Sequence, residues 1–155
     1  DWSSDVCSSD LSMKILVLNG PNLSRLDLRE KNFYGDISYG DIENALKDQA
    51  ATLNVEVDVR QSNDESELIG WLHEAADSKI PVIFNPAAFT HYSYAIRDAV
   101  VMLKNACIEV HLSNPLSREE FRHTSVISGV VSGTIAGFGI DSYRLALQQI
   151  IKLVK

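Results

Sequence analysis

The sequence predicts an α/β fold, in which parallel strands form one sheet and helices cover both of its faces. Short apolar runs, typical of strands buried on both faces, alternate with longer segments whose apolar residues recur at helical spacing. Strands that alternate with helices pair in parallel through right-handed crossovers. The chain has 155 residues, of which 45% are hydrophobic, and this suits one domain with one core.

The first βαβ unit is marked by a turn signal and a helix-start signal. Residues 14–19, KILVLN, form an apolar run that a Gly-Pro turn ends, and they predict a buried strand. A helix is expected over residues 38–53, because Ser38 and Asp41 form a helix-start pattern and apolar residues follow at helical spacing. Residues 55–61, VEVDVRQ, alternate apolar and polar side chains and indicate an edge strand.

The middle of the chain predicts two more helices with a strand between them. Asn63 or Asp64 is a candidate N-cap for a helix over NDESELIGWLHEAAD, whose apolar residues fall on one face. PVIFN at 81–85 is a short apolar run and predicts a second buried strand. Thr90 is a candidate cap for a helix that runs to about Lys104.

The last third predicts two strands and a helical turn. IEVHLS at 108–113 is a third buried strand, and Ser117 with Glu120 suggests a short helical turn. VISGVVSGTIAGFG at 126–139 holds a β-branched strand that glycines interrupt.

A final helix, expected to start at Asp141 or Ser142, runs to the C-terminus. Five strands in this order fit the flavodoxin-like three-layer fold, with a five-stranded parallel sheet of order 2-1-3-4-5. Ligands bind such sheets beyond the carboxyl ends of the strands, where the strand order reverses. That point lies between strands 1 and 3 in the predicted order.

The N-terminal segment does not match the rest of the chain. Its string DWSSDVCSSDL has no basic residue and no apolar core, so it is not a signal peptide. It resembles the in-frame translation of a sequencing-adapter oligonucleotide. We therefore expect residues 1–12 to be a non-native or disordered tail, and residues 13–155 to form a single domain.

Composition excludes several classes of function. A net charge of −7 argues against nucleic acid as a partner, and no apolar run approaches the roughly 20 residues that span a membrane. The two cysteines lack a CxxC partner, which argues against a disulfide framework and against a zinc site. This usage fits a reducing cytoplasm.

Several reactive side chains are expected at the predicted crevice. Asn22 lies just past strand 1, Asn85 ends strand 3 and His111 lies in strand 4. The segment LREKNFYG, which fits neither helix nor strand and is expected to be a mobile loop, adds Arg29 and Tyr34. A cation beside a phenol favours the phenolate, so Arg29 could allow Tyr34 to act as a base.

The other groups suit the remaining steps of an elimination. Histidine changes charge near neutral pH, so His111 could return a proton to a leaving hydroxyl. Glu109 shares a strand face with His111 and could orient its ring. Asn22 could hold an enolate oxygen, directly or through a water molecule. Together these groups fit the β-elimination of water from a hydroxy-ketone.

The sequence alone also allows other interpretations. Each residue alone has an ordinary explanation: a packing tyrosine, a core histidine, a turn at NGPN, or a solvated charge run at 118–123. The main alternative is a non-enzymatic flavodoxin-like binding module, in which NGPN would cradle a phosphate or a flavin. A dehydratase that uses a lysine Schiff base is disfavoured, because no lysine is predicted at a buried strand end at this edge.

Motifs along nearly the whole chain resemble one family, the type II 3-dehydroquinate dehydratases (type II dehydroquinases) of the shikimate pathway. The matching segments are LVLNGPNL (16–23), RExxxYG (29–35), RQSN (60–63), NPAAFTH (85–91), RDA (97–99), EVHLSN (109–114), REEFRH (118–123) and GFG (137–139). The resemblance implies a hydro-lyase that converts 3-dehydroquinate into 3-dehydroshikimate in the biosynthesis of chorismate and aromatic amino acids.

The resemblance also implies roles at matching positions. Tyr34 would remove the proton from C2, and Arg29 would favour its phenolate. Asn22 would hold a water molecule at the enolate, and His111 would protonate the C1 hydroxyl. The substrate-binding positions that the resemblance implies are Asn85, His91 and Arg122 for the ring hydroxyls, the backbone N–H groups of Leu112 and Ser113 for the carboxylate, and Asp98 from a neighbouring subunit.

The family forms dodecamers, as tetramers of trimers, and uses no metal or cofactor. The resemblance therefore implies a homododecamer without metal or cofactor for this chain. Some positions depart from the family pattern. Asp27, Leu28 and Lys31 differ from the usual residues around the lid arginine, and Ala87 stands where glycine is common. We expect Asp27, in place of a glycine, to stiffen the hinge of the lid.

Overall fold

The computed structural model describes residues 12–155, so the tail expected over residues 1–12 lies, apart from Ser12, outside the described residues. One sheet of five parallel strands has the order 2-1-3-4-5, as predicted. The strands are β1 (Lys14–Asn19), β2 (Glu56–Gln61), β3 (Val82–Asn85), β4 (Cys107–His111) and β5 (Gly133–Ala136). The predicted bounds of β1 and β3 match to within one residue, and β2 is an edge strand as expected, but β4 ends at His111 rather than at residue 113.

Helices cover both faces of the sheet. They are α1 (Lys31–Tyr34), α2 (Tyr39–Leu53), α3 (Glu65–Ser78), α4 (Tyr94–Val101) and α5 (Ile140–Leu153). Successive residues of a strand point to opposite faces, so Ile15 and Val17 join one core with α2 and α5. Leu16 and Leu18 join a second core with α3 and α4. Burial on both faces explains why β1 is apolar without alternation.

Two predicted helix starts are confirmed. The Ser38 hydroxyl accepts a hydrogen bond from Asp41 N, and the Asp41 carboxylate accepts one from Ser38 N, which forms a capping box. The Asp64 carboxylate accepts a hydrogen bond from Ser66 N at the start of α3. Each cap satisfies backbone N–H groups that the first turn of a helix leaves without partners.

The predicted helix start at Thr90 is wrong. Thr90 lies in a 3-10 helix, Ala87–His91, and α4 begins only at Tyr94, with Ser93 as its cap. The Thr90 hydroxyl donates instead to the Glu109 carboxylate, 2.6 Å away. The same helix ends at Val101 rather than near Lys104.

Three other local predictions need correction. Ser117 caps nothing: it ends a 3-10 turn that Asn114 caps, and the turn Glu120–His123 has no side-chain cap. The strand within 126–139 is confined to β5, because residues 128–130 form a further 3-10 turn. The final helix begins at Ile140, one residue before the earliest predicted start.

The expected loop at LREKNFYG contains a full helical turn, α1. Gly35 ends this turn with φ at 66°, a value that favours glycine. Ala87 has φ at 52°, which explains why glycine would be common at its position. Asp27 has no such backbone value, so its place does not require glycine.

The ends of β1 and β3 approach closely where the strand order reverses. Gly20 N donates to Asn85 O at 2.8 Å, and a Cβ at Gly20 would lie 2.7 Å from Pro86 O. Only glycine fits this approach. Within residues 12–155, no helix combines the length and the apolar character needed to cross a membrane.

Candidate active site

A cavity of about 290 Å³ opens at the carboxyl ends of β1, β3 and β4. This is where the topological rule for open α/β sheets places a ligand. Its walls come from the turn after β1, the 3-10 helix after β3, the segment after β4 and the α1 turn. The lining residues are Pro21, Asn22, Leu23, Arg29, Glu30, Tyr34, Asn85, Ala87, Ala88, His91, His111, Leu112, Ser113, Pro115, Arg118 and Arg122.

The cavity contains most of the side chains singled out from the sequence. The predicted residues that line it are Asn22, Arg29, Tyr34, Asn85, His91, His111, Leu112, Ser113 and Arg122. Glu109 is fully buried behind His111 and does not line the wall. Asp98 lies on α4 outside the cavity, with its side chain 70% exposed.

Two arginines converge on the phenol of Tyr34. Arg29 Nη2 donates to the Tyr34 hydroxyl oxygen at 2.6 Å, and Arg118 Nη1 donates to it at 2.5 Å. The Arg29 guanidinium also lies over the tyrosine ring, 4.4 Å from its centroid. Hydrogen bonds and positive charges at one oxygen both favour its anionic form. The arrangement therefore places two cationic donors on a single phenol oxygen.

Arg118 is the residue of this site that sequence reasoning missed. Its side chain is only 4% exposed, although it lies in a run that resembles a solvated charge segment. Arg118 also donates to Ser113 Oγ at 3.2 Å and lies over the Phe33 ring. The available signal was the matching motif REEFRH, which contains two arginines, of which only Arg122 was assigned a role.

His111, at the cavity wall, is hydrogen-bonded to Glu109, which is fully buried. A carboxylate oxygen only accepts, so His111 Nε2–H donates to Glu109 Oε2, 2.5 Å away. Glu109 also accepts hydrogen bonds from the hydroxyl groups of Thr90 at 2.6 Å and Ser128 at 2.5 Å. Because Nε2 is bonded to Glu109, Nδ1 is the ring nitrogen of His111 that can contact a bound molecule.

The carboxylate of Glu109 stays ionised in spite of its burial. Burial alone would raise its pKa. The hydrogen bond and the charge of His111, together with the hydrogen bonds from Ser128 and Thr90, outweigh burial and lower the pKa below its usual value. Ser125 supports Thr90 through a hydroxyl contact of 2.6 Å. A negatively charged group therefore lies against the ring of His111.

Asn22 is held in a left-handed conformation, with φ at 70°. Its backbone N–H donates to Asn63 Oδ1 at 2.9 Å. Gln61 Nε2 donates to both Gly20 O and Asn63 Oδ1, each at 3.1 Å. The RQSN motif at the end of β2 therefore fixes the turn that brings Asn22 to the cavity.

His91 and Arg122 also line the cavity wall. His91 Nδ1–H donates to the Thr124 carbonyl at 2.8 Å, which leaves Nε2 as a hydrogen-bond acceptor. Burial lowers the pKa of His91, and the charge of Arg122 acts in the same direction. Arg122 Nε donates to Glu119 Oε1 at 3.1 Å, so its remaining N–H groups are available to a ligand.

The cavity combines a cationic wall with a phenol, an imidazole and amide groups. Arg29, Arg118 and Arg122 give it the positive charge that an anionic ligand requires. None of the lining residues is a lysine, which disfavours Schiff-base chemistry at this site. Residues 12–155 contain no group of three or more side chains arranged as metal ligands. The geometry suits proton abstraction beside a carbonyl followed by loss of a protonated leaving group.

Comparisons with known proteins agree with this chemistry. The family model described as dehydroquinase class II matches residues 13–151. The chain is 51% identical to a 3-dehydroquinate dehydratase of Salinispora tropica over 89% of this chain and 96% of that protein. It is also 51% identical to a 3-dehydroquinate dehydratase of Mycobacteroides abscessus, over 90% and 96% of the two chains.

Solved structures give the same result. The crystal structure of a type II dehydroquinase from Propionibacterium acnes superposes with a TM-score of 0.88 at 50% identity, over 91% of this chain and 99% of that one. A type II dehydroquinase from Butyrivibrio crossotus gives a TM-score of 0.86 at 44% identity, over 90% and 98%.

Proposed function

The chain belongs to the class II dehydroquinase family, and we infer that it is a 3-dehydroquinate dehydratase, a hydro-lyase of the shikimate pathway. The reaction removes water from 3-dehydroquinate and gives 3-dehydroshikimate. The observation that carries the assignment of roles is the pair of guanidinium groups on the Tyr34 hydroxyl, at 2.6 and 2.5 Å.

We propose Tyr34 as the base of the first step. As a phenolate it takes a proton from C2, and the C–H electrons form the double bond of an enolate whose negative charge lies on the C3 oxygen. Arg29 and Arg118 stabilise the phenolate before this transfer. Asn22, which the Asn63 contact fixes at the cavity, supports the enolate oxygen directly or through a water molecule.

We propose His111 as the acid of the second step. The enolate reforms the C3 carbonyl, a C1=C2 double bond forms, and the C1 hydroxyl leaves with a proton from His111 as water. Glu109 accepts from Nε2, so Nδ1 is the nitrogen that gives up this proton. The substrate proton then resides on Tyr34, and proton exchange with solvent resets both groups.

The remaining residues are proposed to bind the substrate. The carboxylate would meet the backbone N–H groups of Leu112 and Ser113, near the positive charge of Arg118. The ring hydroxyls would meet Asn85, His91 and Arg122, all of which line the cavity. An acidic protein can hold an anionic substrate in this way, because the local charge of the pocket differs from the net charge.

Ultraviolet absorbance tests this function directly. The product is a conjugated enone, so absorbance should rise when the protein is mixed with 3-dehydroquinate. Tyr34→Phe keeps the ring but removes the base, and we expect its turnover to fall by at least about a hundredfold. Tyr39→Phe, at a tyrosine that does not line the cavity, is the matched control and should retain activity. Equal activity of the two variants would exclude Tyr34 as the base.

We also propose a homododecamer, a tetramer of trimers, in the cytoplasm. Exposed apolar side chains on and beside α4 support burial against another copy, and they are Tyr92, Tyr94, Val101 and Met102. The free thiol of Cys107 fits a reducing compartment. Light scattering of the purified protein measures the subunit number, and a monomeric mass would exclude this assembly.

A further inference from the structure

We propose that Tyr143, on α5, is a positioning residue that fixes the side-chain amide of Asn85 in the active-site cavity. The inference rests on the proposed dehydratase function, because it concerns how the same cavity holds a substrate hydroxyl. Tyr143 does not line the cavity and would act only through Asn85.

Four hydrogen bonds link the ends of three neighbouring strands through Tyr143. Ala87 N–H donates to Asn85 Oδ1 at 3.1 Å, and Asn85 Nδ2 donates to the Tyr143 hydroxyl at 2.8 Å. The Tyr143 hydroxyl donates to Asn19 Oδ1 at 2.6 Å. Asn19 Nδ2 donates to the Arg60 carbonyl at 3.2 Å. The chain of bonds thus crosses from β3 through α5 to β1 and β2.

The direction of this chain is fixed from both ends. The backbone N–H of Ala87 only donates, so the oxygen of the Asn85 amide must face it. The carbonyl of Arg60 only accepts, so the nitrogen of the Asn19 amide must face that group. Tyr143 therefore accepts from Asn85 and donates to Asn19. If the Asn85 amide were flipped, its NH₂ group would face the N–H of Ala87, so two donors would meet. Asn85 would also no longer donate to the Tyr143 hydroxyl.

Burial makes this order strict. Asn19 and Tyr143 are fully buried, and Asn85 is 2% exposed, so water cannot replace a lost partner at the inner groups. Burial also raises the pKa of Tyr143, which keeps its hydroxyl protonated and able to donate. The amide of Asn85 is consequently held in one orientation before any ligand arrives.

The fixed orientation of the Asn85 amide decides whether it offers a donor or an acceptor to the cavity. One N–H of Asn85 is used by Tyr143, and its carbonyl oxygen is used by Ala87. The second N–H is the donor that remains for a bound molecule. Asn85 is thus set to donate to an oxygen of the substrate ring, and the OH of Tyr143 is the group that holds it in this state.

Kinetics of Tyr143→Phe test the inference. The variant keeps the buried ring but frees the Asn85 amide, so we expect kcat/KM for 3-dehydroquinate to fall about tenfold, mainly through KM, as for loss of uniform binding. In an Asn85→Ala background the same substitution should cause no further loss. A drop of equal size in both backgrounds would overturn the proposal, because it would reflect general damage to the fold.

Tyr39→Phe provides the matched control. The Tyr39 hydroxyl also interacts with Asn19 but lies outside the bonds that lead to Asn85. Its loss should leave kcat and KM unchanged in both backgrounds. A KM increase equal to that of Tyr143→Phe would assign the effect to Asn19 and the strand ends rather than to the amide of Asn85, and would contradict the proposal.

A measurement without turnover separates this inference from the proposed function. In the free, isotopically labelled protein, the Asn85 side-chain proton that faces Tyr143 should exchange slowly with solvent. Exchange should accelerate at least tenfold in Tyr143→Phe and stay slow in Tyr39→Phe. Unchanged exchange in Tyr143→Phe would refute the positioning role. Failure of the wild type to dehydrate 3-dehydroquinate would instead refute the function, and the exchange result would still stand.

Discussion

The phenol of Tyr34 depends on two cations that differ in how easily the sequence reveals them. Arg29 lies five residues away in the same short segment, and its 2.6 Å contact agrees with the predicted pairing. Arg118 comes from a distant segment and makes a contact of 2.5 Å. Local spacing indicated the first pairing, whereas the second depends on how the segment after β4 folds back over the cavity.

Replacing Arg118 should impair the chemical step. Arg118→Met removes one of two charged donors from the phenolate, and we expect kcat to fall by about 10²- to 10³-fold. Arg118→Lys keeps a positive charge and should recover part of the loss. Arg144→Met, at an exposed arginine of α5, is the control and should have normal kcat. If kcat of Arg118→Met equals that of the unmodified protein, the phenolate does not require Arg118.

Titration of Glu109 should make the stability of the fold depend on pH in the acid range. Its folded-state pKa is lowered, so its ionised form stabilises the fold above the ordinary carboxyl pKa of about 4.3. This contribution is lost as pH falls from there through the lowered folded value. Glu109→Gln cannot titrate and should lose less stability than the wild type between about pH 5 and pH 3.

Urea unfolding at several pH values measures this difference. At pH 7 the glutamine variant should be less stable by about 1–3 kcal/mol, because the donors of His111, Thr90 and Ser128 lose a charged acceptor. Parallel stability curves for the two proteins below pH 5 would show that Glu109 is not the linked group. Glu56→Gln, at an exposed carboxylate on β2, is the control for general charge effects.

At the scale of elements, the sequence predicted those helices that have a local start signal. The capping box of Ser38 and Asp41 lies within four residues, so its pattern is visible in the chain. Thr90 shows the limit of such signals. A threonine before an apolar run suits a helix cap, but the Thr90 hydroxyl donates its hydrogen bond to Glu109, nineteen residues later, and so does not cap the helix.

The end of β2 is predicted to act on catalysis through the turn after β1. Asn63→Ala removes the acceptor for Asn22 N–H, which holds Asn22 at φ 70°. We expect kcat to fall about tenfold because a small displacement of a catalytic group has a large effect on rate. Steady-state kinetics with 3-dehydroquinate measures this effect.

Asn105→Ala is the matched control for that prediction. The Asn105 amide also bonds backbone groups, Lys79 O and Ala106 N, but it lies just before β4, at the amino end of the sheet. The two variants should lose similar stability, and only Asn63→Ala should lose turnover. Equal turnover in both would mean that Asn22 keeps its place without Asn63.

For the whole molecule, the alternation of strands and helices was sufficient to predict the sheet order and the position of the cavity. Both follow from rules on handedness and on strand ends that need no detailed contacts. The irregular segment over residues 114–123 was not predictable in this way. Its two short 3-10 turns have no periodic pattern, yet they place Arg118 and Arg122 in the cavity wall.

The role proposed for Asp98 depends on assembly. It lies outside the cavity of its own chain, on α4, beside the exposed side chains of Tyr94 and Val101. If a neighbouring copy uses Asp98 to complete its cavity, Asp98→Ala and Tyr34→Phe should each inactivate a homogeneous assembly. Mixed assemblies, however, should regain activity. Co-expression of the two variants with different affinity tags allows mixed assemblies to be purified and assayed.

Random mixing in equal amounts gives an expected recovery of about a quarter of wild-type activity, since only a Tyr34-intact copy beside an Asp98-intact copy forms a complete cavity. The control mixes Tyr34→Phe with His111→Ala. Tyr34 and His111 line the cavity of the same chain, and each copy in this mixture lacks one of them. No cavity therefore has both side chains intact, and activity should not return. Recovery in the Asp98 mixture alone would show that Asp98 acts across subunits. No recovery in either mixture would place its effect within its own chain, and the exposed face of α4 would then need another explanation.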